Sequence, residues 1–513
     1  MWYDWFYRRT NQTQRKVLSM YNSILHFIKN DIIEIEKITA AMLRGELEAH
    51  ALSENIQGRM MKLGCELLSE LYEKLDEEIR ESLIRKKQWT IEQRNEPKEL
   101  LDIMGTIHFH RTGYKNKRTG KFTYLLDHIL GLEGHQRITL GAAARILEEA
   151  VITSYEKGGR SASLMDQVSK QTVKRLVHDT EIYLPEKEPQ EKKKLKHLHI
   201  VADEDHVAAQ FIHMKGDLPR DLRGNKINTL MPKIICLYED VIEQAGESSK
   251  SLRYKLTGKH YFCGTYKGSQ ENQKLWEEVQ EYIQKHYDTE VLERVYIAGD
   301  GAAWIRSGCE VLEKSRFVLD KFHMMKYVNI SVSHLLDSAE EVKEEIWEAL
   351  NGGHKKELKR IYDRILAVTE EGNKYQEVEG ARTYFMNQWD GIRIRTEEAG
   401  GNWKCCAEGQ VSHVLRARLS SRPMGWSEKG CDQMSKLRAY TQNGGKIIDL
   451  LEYQKKKKQE ERKPLKDEEE IRKELVHKQS GWRYQERLMG EVPGLFGQSL
   501  KWLRVWINQE LGA

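Results

Sequence analysis

The sequence predicts an α/β fold: a mixed-sheet domain that carries the chemistry, interrupted by an α-helical insertion and preceded by a mainly helical N-terminal region. Three observations lead there. Between residues 195 and 336, short apolar runs such as "HLHIVADED", "PKIICLYEDVI" and "RVYIAGD" alternate with helix-periodic stretches such as "NQKLWEEVQEYIQKHY". Residues 1–100 and 337–400 are charge-rich, with apolar residues spaced by three and four. Finally, Asp300 sits between Gly299 and Gly301 at the end of an apolar run. A charge at the tip of a buried strand is costly unless something compensates it.

Composition narrows the classes. The chain has 513 residues, more than one core ordinarily holds. Charged residues make up 32%, yet 12 Trp and 22 Tyr argue against general disorder. The net charge of +4 does not announce a polyanion partner, so any nucleic-acid surface comes from local segregation of charge. Seven Cys at 65, 236, 263, 309, 405, 406 and 431 form no CxxC pair and no zinc pattern, which points to a reduced, cytoplasmic chain. No apolar run approaches the ~18 residues of a membrane helix, and "MWYDWFYRRTNQTQRK" has no signal-peptide core.

The elements then follow in order. Residues 1–100 read as helical. Residues 101–184 begin with a hairpin signal, in which Ile107 and Phe109 alternate with His108 and His110 before the basic turn "KNKRTGK" and the return "FTYLL". "SYEKGGRSASLMDQVSKQTVKRLVHD" then reads as a helix-turn-helix: a helix, a break at Gly158-Gly159, a helix, a turn, and Ser169 as N-cap. Its last helix turns Val173, Leu176 and Val177 inward and offers Lys170, Gln171, Thr172, Lys174 and Arg175 to a DNA groove. An ordinary helical bundle with a basic solvated face reads the same way. "LPEKEPQEKKKLK" is a charged linker with two of the eight prolines, and marks a domain boundary. Strands are expected at "HLHIVADED", "AQFIHM", "PKIICLYEDVI", "KHYFCGTY", "RVYIAGD" and "RFVLD". Residues 401–440 complete the domain begun at 195, and 441–513 form a charged helical region.

Three antiparallel strands, a helix, then strand–helix–strand is the order of an RNase H-like domain, in which carboxylates at strand ends hold metal ions. Period two puts His199, Val201 and Asp203 on one strand face, with Asp205 as a rival further along. Asp300 ends the strand expected beside it. Glu408 opens the helix "EGQVSHVLRARL", with Ser412 and Leu415 below it on the docking face. Two strand-borne Asp and one helix-borne Glu suit two Mg²⁺ or Mn²⁺ ions ~4 Å apart, a phosphoryl-transfer site. Taken singly, an Asp after a strand is more often a turn former or helix cap, and Glu408 a solvated first-turn residue; only the ordered set favours catalysis.

These residues are also familiar as a set. "RVYIAGDGAAWIRSG" followed by "RFVLDKFHMMKYV" resembles the DDE transposases of bacterial insertion sequences. "ADEDHVA" and "EGQVSHVLRARLSSRPMGWSEKGCDQMSKLRAY" are similar to the ISL-re type, and Asp320-Lys-Phe-His323 matches the D-x-x-H element of the Mutator-like group. The resemblance spans roughly residues 100 to 440. It implies Asp203, Asp300 and Glu408 as catalytic triad, with Glu398 and Glu428 as rivals for the last place, and Asp320 and His323 as an accessory pair. It also implies metal-dependent cleavage and joining of double-stranded DNA, at the element's terminal repeats and the target, by a homo-oligomer associated with the bacterial nucleoid. Arg416, Arg418, Arg422, Lys436 and Arg438 are candidates to track phosphates, and Trp304 and Trp426 either stack on bases or pack in the core. Two other classes fit the residues: a DNA-binding regulator with a decayed fold, and a nuclease that cuts without joining.

Overall fold

A computed structural model describes residues 22–185, 188–220, 224–245, 252–398, 407–461 and 469–477. Residues 1–21 and 478–513, expected to be helical, lie outside the described residues. The chain divides into two compact units. Met1–Glu149, Glu156–Lys170 and Leu451–Ala513 form the first; Ala150–Tyr155 and Gln171–Leu450 form the second.

The first unit is built on α1 (Ala49–Glu81), whose apolar stripe lies against an antiparallel sheet of β1 (Trp89–Leu101), β2 (Thr106–Asn116) and β3 (Phe122–Thr123). Ile79, Trp89, Leu100, Ile107, Phe109, Leu125 and Leu126 share one core, and Tyr72 meets Phe109 edge-on at 5.1 Å. Ile107 and Phe109 are buried while His108 and His110 are exposed, the alternation of a half-buried strand. Residues 89–101 depart from the helical expectation for 1–100. Trp89, Thr90 and Ile91 favour the pleat, and Pro97 cannot continue a helix. Its missing N–H is tolerated because β1 is an edge strand.

The helix expected between Gly159 and Ser169 is also replaced. Ser163 Oγ accepts hydrogen bonds from the N–H groups of Met165 (3.2 Å) and Asp166 (2.8 Å), closing a turn that competes with helix. The following helix, α2 (Lys170–Asp179), buries Val173 and Val177 and leaves Lys170, Gln171 and Arg175 exposed, with Thr172 and Lys174 half-buried.

The second unit contains a five-stranded mixed sheet. Its strands are β4 (His197–Glu204), β7 (Lys233–Tyr238), β10 (His260–Gly264), β11 (Arg294–Gly299) and β12 (Ser315–Leu319), in the order β10-β7-β4-β11-β12. The first three in sequence pair antiparallel; β4, β11 and β12 run parallel. Two short pairs flank it: β5 (Val207–Ala208) with β6 (Thr229–Leu230), and β8 (Asp240–Ala245) with β9 (Leu252–Thr257). "AQFIHM" is therefore not a sheet strand. Beyond Ala208 the chain turns outward and leaves Phe211, Ile212 and Met214 exposed, while β10 takes the third place at the sheet edge.

Alternation sorts the sheet into two faces. Leu198, Ile200, Ala202, Val295, Ile297, Phe317 and Leu319 join one core with Leu275, Trp276, Val279 and Ile283 of α3 (Gly268–His286). After β12 come α4 (Lys321–Val332) and four insertion helices, α5 (Ala339–Asn351), α6 (Lys355–Val368), α7 (Asn373–Asn387) and α8 (Trp389–Glu397). Leu350, Ile361, Tyr362, Phe385 and Ile392 bring the insertion into the same core. The opposite strand face carries His199, stacked between Tyr238 (5.2 Å) and Tyr296 (5.7 Å). A helix from Ala407 to Leu419, with a π-helical turn at Ser412–Arg416, and α9 (Glu428–Gln442) complete the unit.

Candidate active site

Strand register decides where the acidic residues fall. Ala298 pairs with Val201, and Gly299 pairs with Leu319. Continuing two residues and one residue further sets Asp300 level with both Asp203 and Asp320. All three share the parity of Tyr296 and His199, so they lie on the face away from α3. The carboxyl ends of β4, β11 and β12 thus present a row of aspartates.

Asp203 is 8% exposed, and its Oδ1 accepts from the Glu204 N–H at 2.8 Å. Burial pushes its carboxyl up to about 6. The Glu204 N–H and His323 oppose the rise, while the charges of Asp300 and Glu408 add to it. Glu408, in the first turn of its helix, therefore acts on the same carboxyl as Asp300 although 205 residues of sequence separate it from Asp203.

The Gly-Asp-Gly bend explains itself in this setting. Asp300 Oδ1 accepts from the Ala302 N–H at 2.8 Å, which turns the chain off the strand. Gly301 holds φ +91°, and a Cβ there would strike the Gln388 side chain. From α7, Tyr384 donates its hydroxyl to the Asp300 carbonyl at 2.6 Å, and Gln388 is itself held by Arg306. The insertion thus fixes the backbone of Asp300. Nothing local in the sequence signals this, because Tyr384 lies 84 residues away.

Asp320 is 3% exposed, and its N–H donates to the Gly299 carbonyl at 2.9 Å. Its Oδ2 makes no hydrogen bond among the described residues; His323 Nδ1 stands 3.4 Å away, an ion-pair distance without hydrogen-bond geometry. Burial lowers the His323 imidazole, but Asp320, Asp203 and Asp300 outweigh it, and the ring ends above its ordinary value.

The two rivals of Glu408 lie elsewhere. Glu398 accepts from the Tyr296 hydroxyl at 2.8 Å and faces Arg294 and Arg316, nearer the start of β11. Glu428 pairs with Lys267 at the surface. Glu408 instead hydrogen-bonds Arg416 Nη1, and Arg416 Nε also lies 3.7 Å from Asp205, so Arg416 is engaged by carboxylates. Two other cations expected at phosphates are corrected. Arg418 and Arg438 are 4% and 7% exposed; Arg418 donates to the Ala150 carbonyl, and Arg438 to the His413 and Val414 carbonyls of the π-helical turn, instead of facing solvent. Trp304 and Trp426 are buried; Trp426 Nε1 donates to the Leu419 carbonyl at 3.0 Å, with Arg418 over its ring.

The donor set around Asp203 is hard oxygen, which suits Mg²⁺ or Mn²⁺. A carboxyl driven up by burial, with the charges of Asp300 and Glu408 adding to the rise, is one whose ionised form a divalent cation would favour. Among the described residues, no three or more His, Cys, Asp or Glu side chains are grouped so that they could hold a metal ion as they stand. No helix among them is long and apolar enough to cross a membrane.

The profile of an uncharacterised protein family, UPF0236, matches residues 42–457. The chain belongs to the UPF0236 family. One UPF0236 protein of Caldanaerobacter subterraneus subsp. tengcongensis, TTE2489, is 35% identical over 424 residues, 83% of this chain and 85% of the relative. A second UPF0236 protein of that strain, whose name joins eleven designations from TTE0033 to TTE2212, is 34% identical over 85% of this chain and 86% of its own. Among solved structures, this UPF0236 chain is matched to the Drosophila P element transposase strand transfer complex with TM-score 0.19 and 13% identity, over 63% of this chain and 82% of that one.

Proposed function

We propose that this UPF0236 protein is a DDE transposase with an RNase H-like catalytic domain. The observation that carries the reading is the level placement of Asp203 and Asp300 on neighbouring parallel strands, with Glu408 acting on the same carboxyl. The order third-second-first-fourth-fifth, with three antiparallel strands and two parallel ones, is the arrangement expected of that domain. The name shared by eleven designations in one strain supports it independently, since repeated copies are what a mobile element leaves in a genome.

In this reading Asp203 and Asp300 on the strands and Glu408 on the helix are the residues that would hold Mg²⁺ or Mn²⁺. The ions supply acidity to the attacking water or 3′-OH and stabilise the leaving oxygen. Asp300 stands in the middle of the row, between Asp203 and Asp320. Tyr384 and Gln388 keep its backbone from shifting as charge gathers. His323, whose imidazole is raised by Asp320, Asp203 and Asp300, stands beside Asp320. The basic face of α2, with Lys170, Gln171, Thr172, Lys174 and Arg175, is the surface that would meet the element's ends.

The test uses the full chain, labelled duplex DNA taken from the flanks of its gene, and Mg²⁺ or Mn²⁺. The expected result is strand cleavage leaving a 3′-OH that joins a second duplex. Asp300→Asn should abolish both steps without lowering the melting temperature. Wild-type products from Asp300→Asn would overturn the mechanism, and cleavage without joining would assign the nuclease reading instead.

A further inference from the structure

Glu408 pairs with Arg416 and adds its charge to the field at Asp203. The Arg416 guanidinium bridges two carboxylates, hydrogen-bonding Glu408 through Nη1 and lying 3.7 Å from Asp205 Oδ1 through Nε. Asp205 is only 2% exposed and sits off the aspartate row. The Ser420 hydroxyl (2.7 Å) and the His206 N–H (3.0 Å) hold it independently of Arg416. The Arg416 side chain is 41% exposed, so its remaining donors are open to solvent.

The helix is locally built for this bridge. In a regular α-helix a residue eight positions on stands about 80° around the axis. Ser412–Arg416 is a π-helical turn, and the extra residue such a turn accommodates takes back about 100°. Arg416 and Glu408 are thereby brought to within about 20° on one face. Val411, Val414 and Leu415 are fully buried, so the helix cannot rotate to undo it.

We propose that Arg416 is a latch on Glu408. It holds the carboxylate as an ion pair in the metal-free protein, yields it to a divalent cation, and then turns its guanidinium to a DNA phosphate while Asp205 tethers it. This rests on the reading of Glu408 as the helix-borne metal carboxylate. A guanidinium and a divalent cation compete for the same carboxylate oxygens, so one must leave before the other binds fully. A guanidinium fork matches phosphate as well as it matches carboxylate. Asp205 keeps its two other donors throughout, so the exchange strands no buried charge. Cation binding and DNA binding are then coupled, each favouring the other.

The test is a titration of the full chain with Mn²⁺, reading free Mn²⁺ by electron paramagnetic resonance, with and without a 30-bp duplex at fixed salt. Without DNA, Arg416→Gln should bind the weaker Mn²⁺ roughly fivefold to tenfold more tightly than wild type, with Arg416→Lys between them. Glu408→Gln should erase that difference. Adding the duplex should tighten Mn²⁺ binding to wild type and leave Arg416→Gln unchanged. Mn²⁺ binding that needs Asp300 and Glu408 but ignores Arg416, or that weakens in Arg416→Gln, overturns the latch alone. No Asp300-dependent Mn²⁺ binding in either protein overturns the metal reading of the site along with it.

Discussion

Asp203 and Asp300 are register neighbours. The offset of 97 residues that pairs Ala298 with Val201 carries on past the strand ends and sets the two carboxylates side by side. Backbone pairing of His197–Val201 with Arg294–Ala298 sets that register, so it does not depend on either side chain. Substitutions at the two positions should therefore change charge without moving the frame.

The first consequence is a pH dependence. Burial and neighbouring charge raise the Asp203 carboxyl from 3.8 to about 6 in the folded protein, so the fold favours the neutral form. That stabilisation is fully present below pH 3.8 and is lost as pH rises through 6. Its ceiling is about 3 kcal/mol for a shift of roughly two units. Asp203→Asn should make the metal-free protein more stable than wild type at pH 8 and should flatten this component of the profile. Denaturant melts in chelator between pH 4 and 8 read it directly; an Asp203→Asn curve parallel to wild type would refute it.

Tyr384→Phe removes one hydroxyl and leaves the Asp300 carbonyl without that donor. A loss of about 1 kcal/mol in stability is expected. DNA cleavage should slow about tenfold while DNA affinity stays put, because the aspartate is misplaced without losing its charge. An unchanged cleavage rate would mean that the insertion helices only fill space.

Much of this is legible in the order of residues alone. Period-two alternation in "HLHIVADED" puts Asp203 opposite the Leu198–Ile200 face, and the glycines around Asp300 mark an abrupt strand end. What local pattern does not supply is partnership over distance. "AQFIHM" has the apolar content of a strand, but nothing within it says that His260–Gly264 will take the edge position. Arg418 and Arg438 look like surface cations because their acceptors, the carbonyls of Ala150 and of the π-helical turn, come within reach only once the helices have packed. Tyr384 is invisible for the same reason.

Gly308 makes a packing test. A Cβ at that position would stand 2.6 Å from the ring of Trp276, which is fully buried and donates its Nε1–H to the Trp304 carbonyl. The ring has nowhere to go, so Gly308→Ala should destabilise by about 1–3 kcal/mol. Differential scanning calorimetry should show a lowered melting temperature; an unshifted one would contradict this packing.

On α2, replacing Lys170, Lys174 and Arg175 with Ala should leave the buried Val173 and Val177 undisturbed. Binding to duplex DNA should weaken, and the slope of log K against log[salt] should fall by about 0.9 for each phosphate that is no longer neutralised. Fluorescence anisotropy across a salt series measures both, and an unaltered slope would remove α2 from the DNA interface.

The three carboxylates are strung far apart along the chain, with a complete helical subdomain between the second and the third. Ribosomes add about 5–20 residues per second. The 205 residues from Asp203 to Glu408 therefore take roughly 10–40 s to emerge at that pace. Until then a nascent or truncated polypeptide carries the aspartate row without the helix that completes it. On the proposed reading, the chain would stay unable to cut DNA through most of its own synthesis, and a copy terminated before Glu408 would never complete the site.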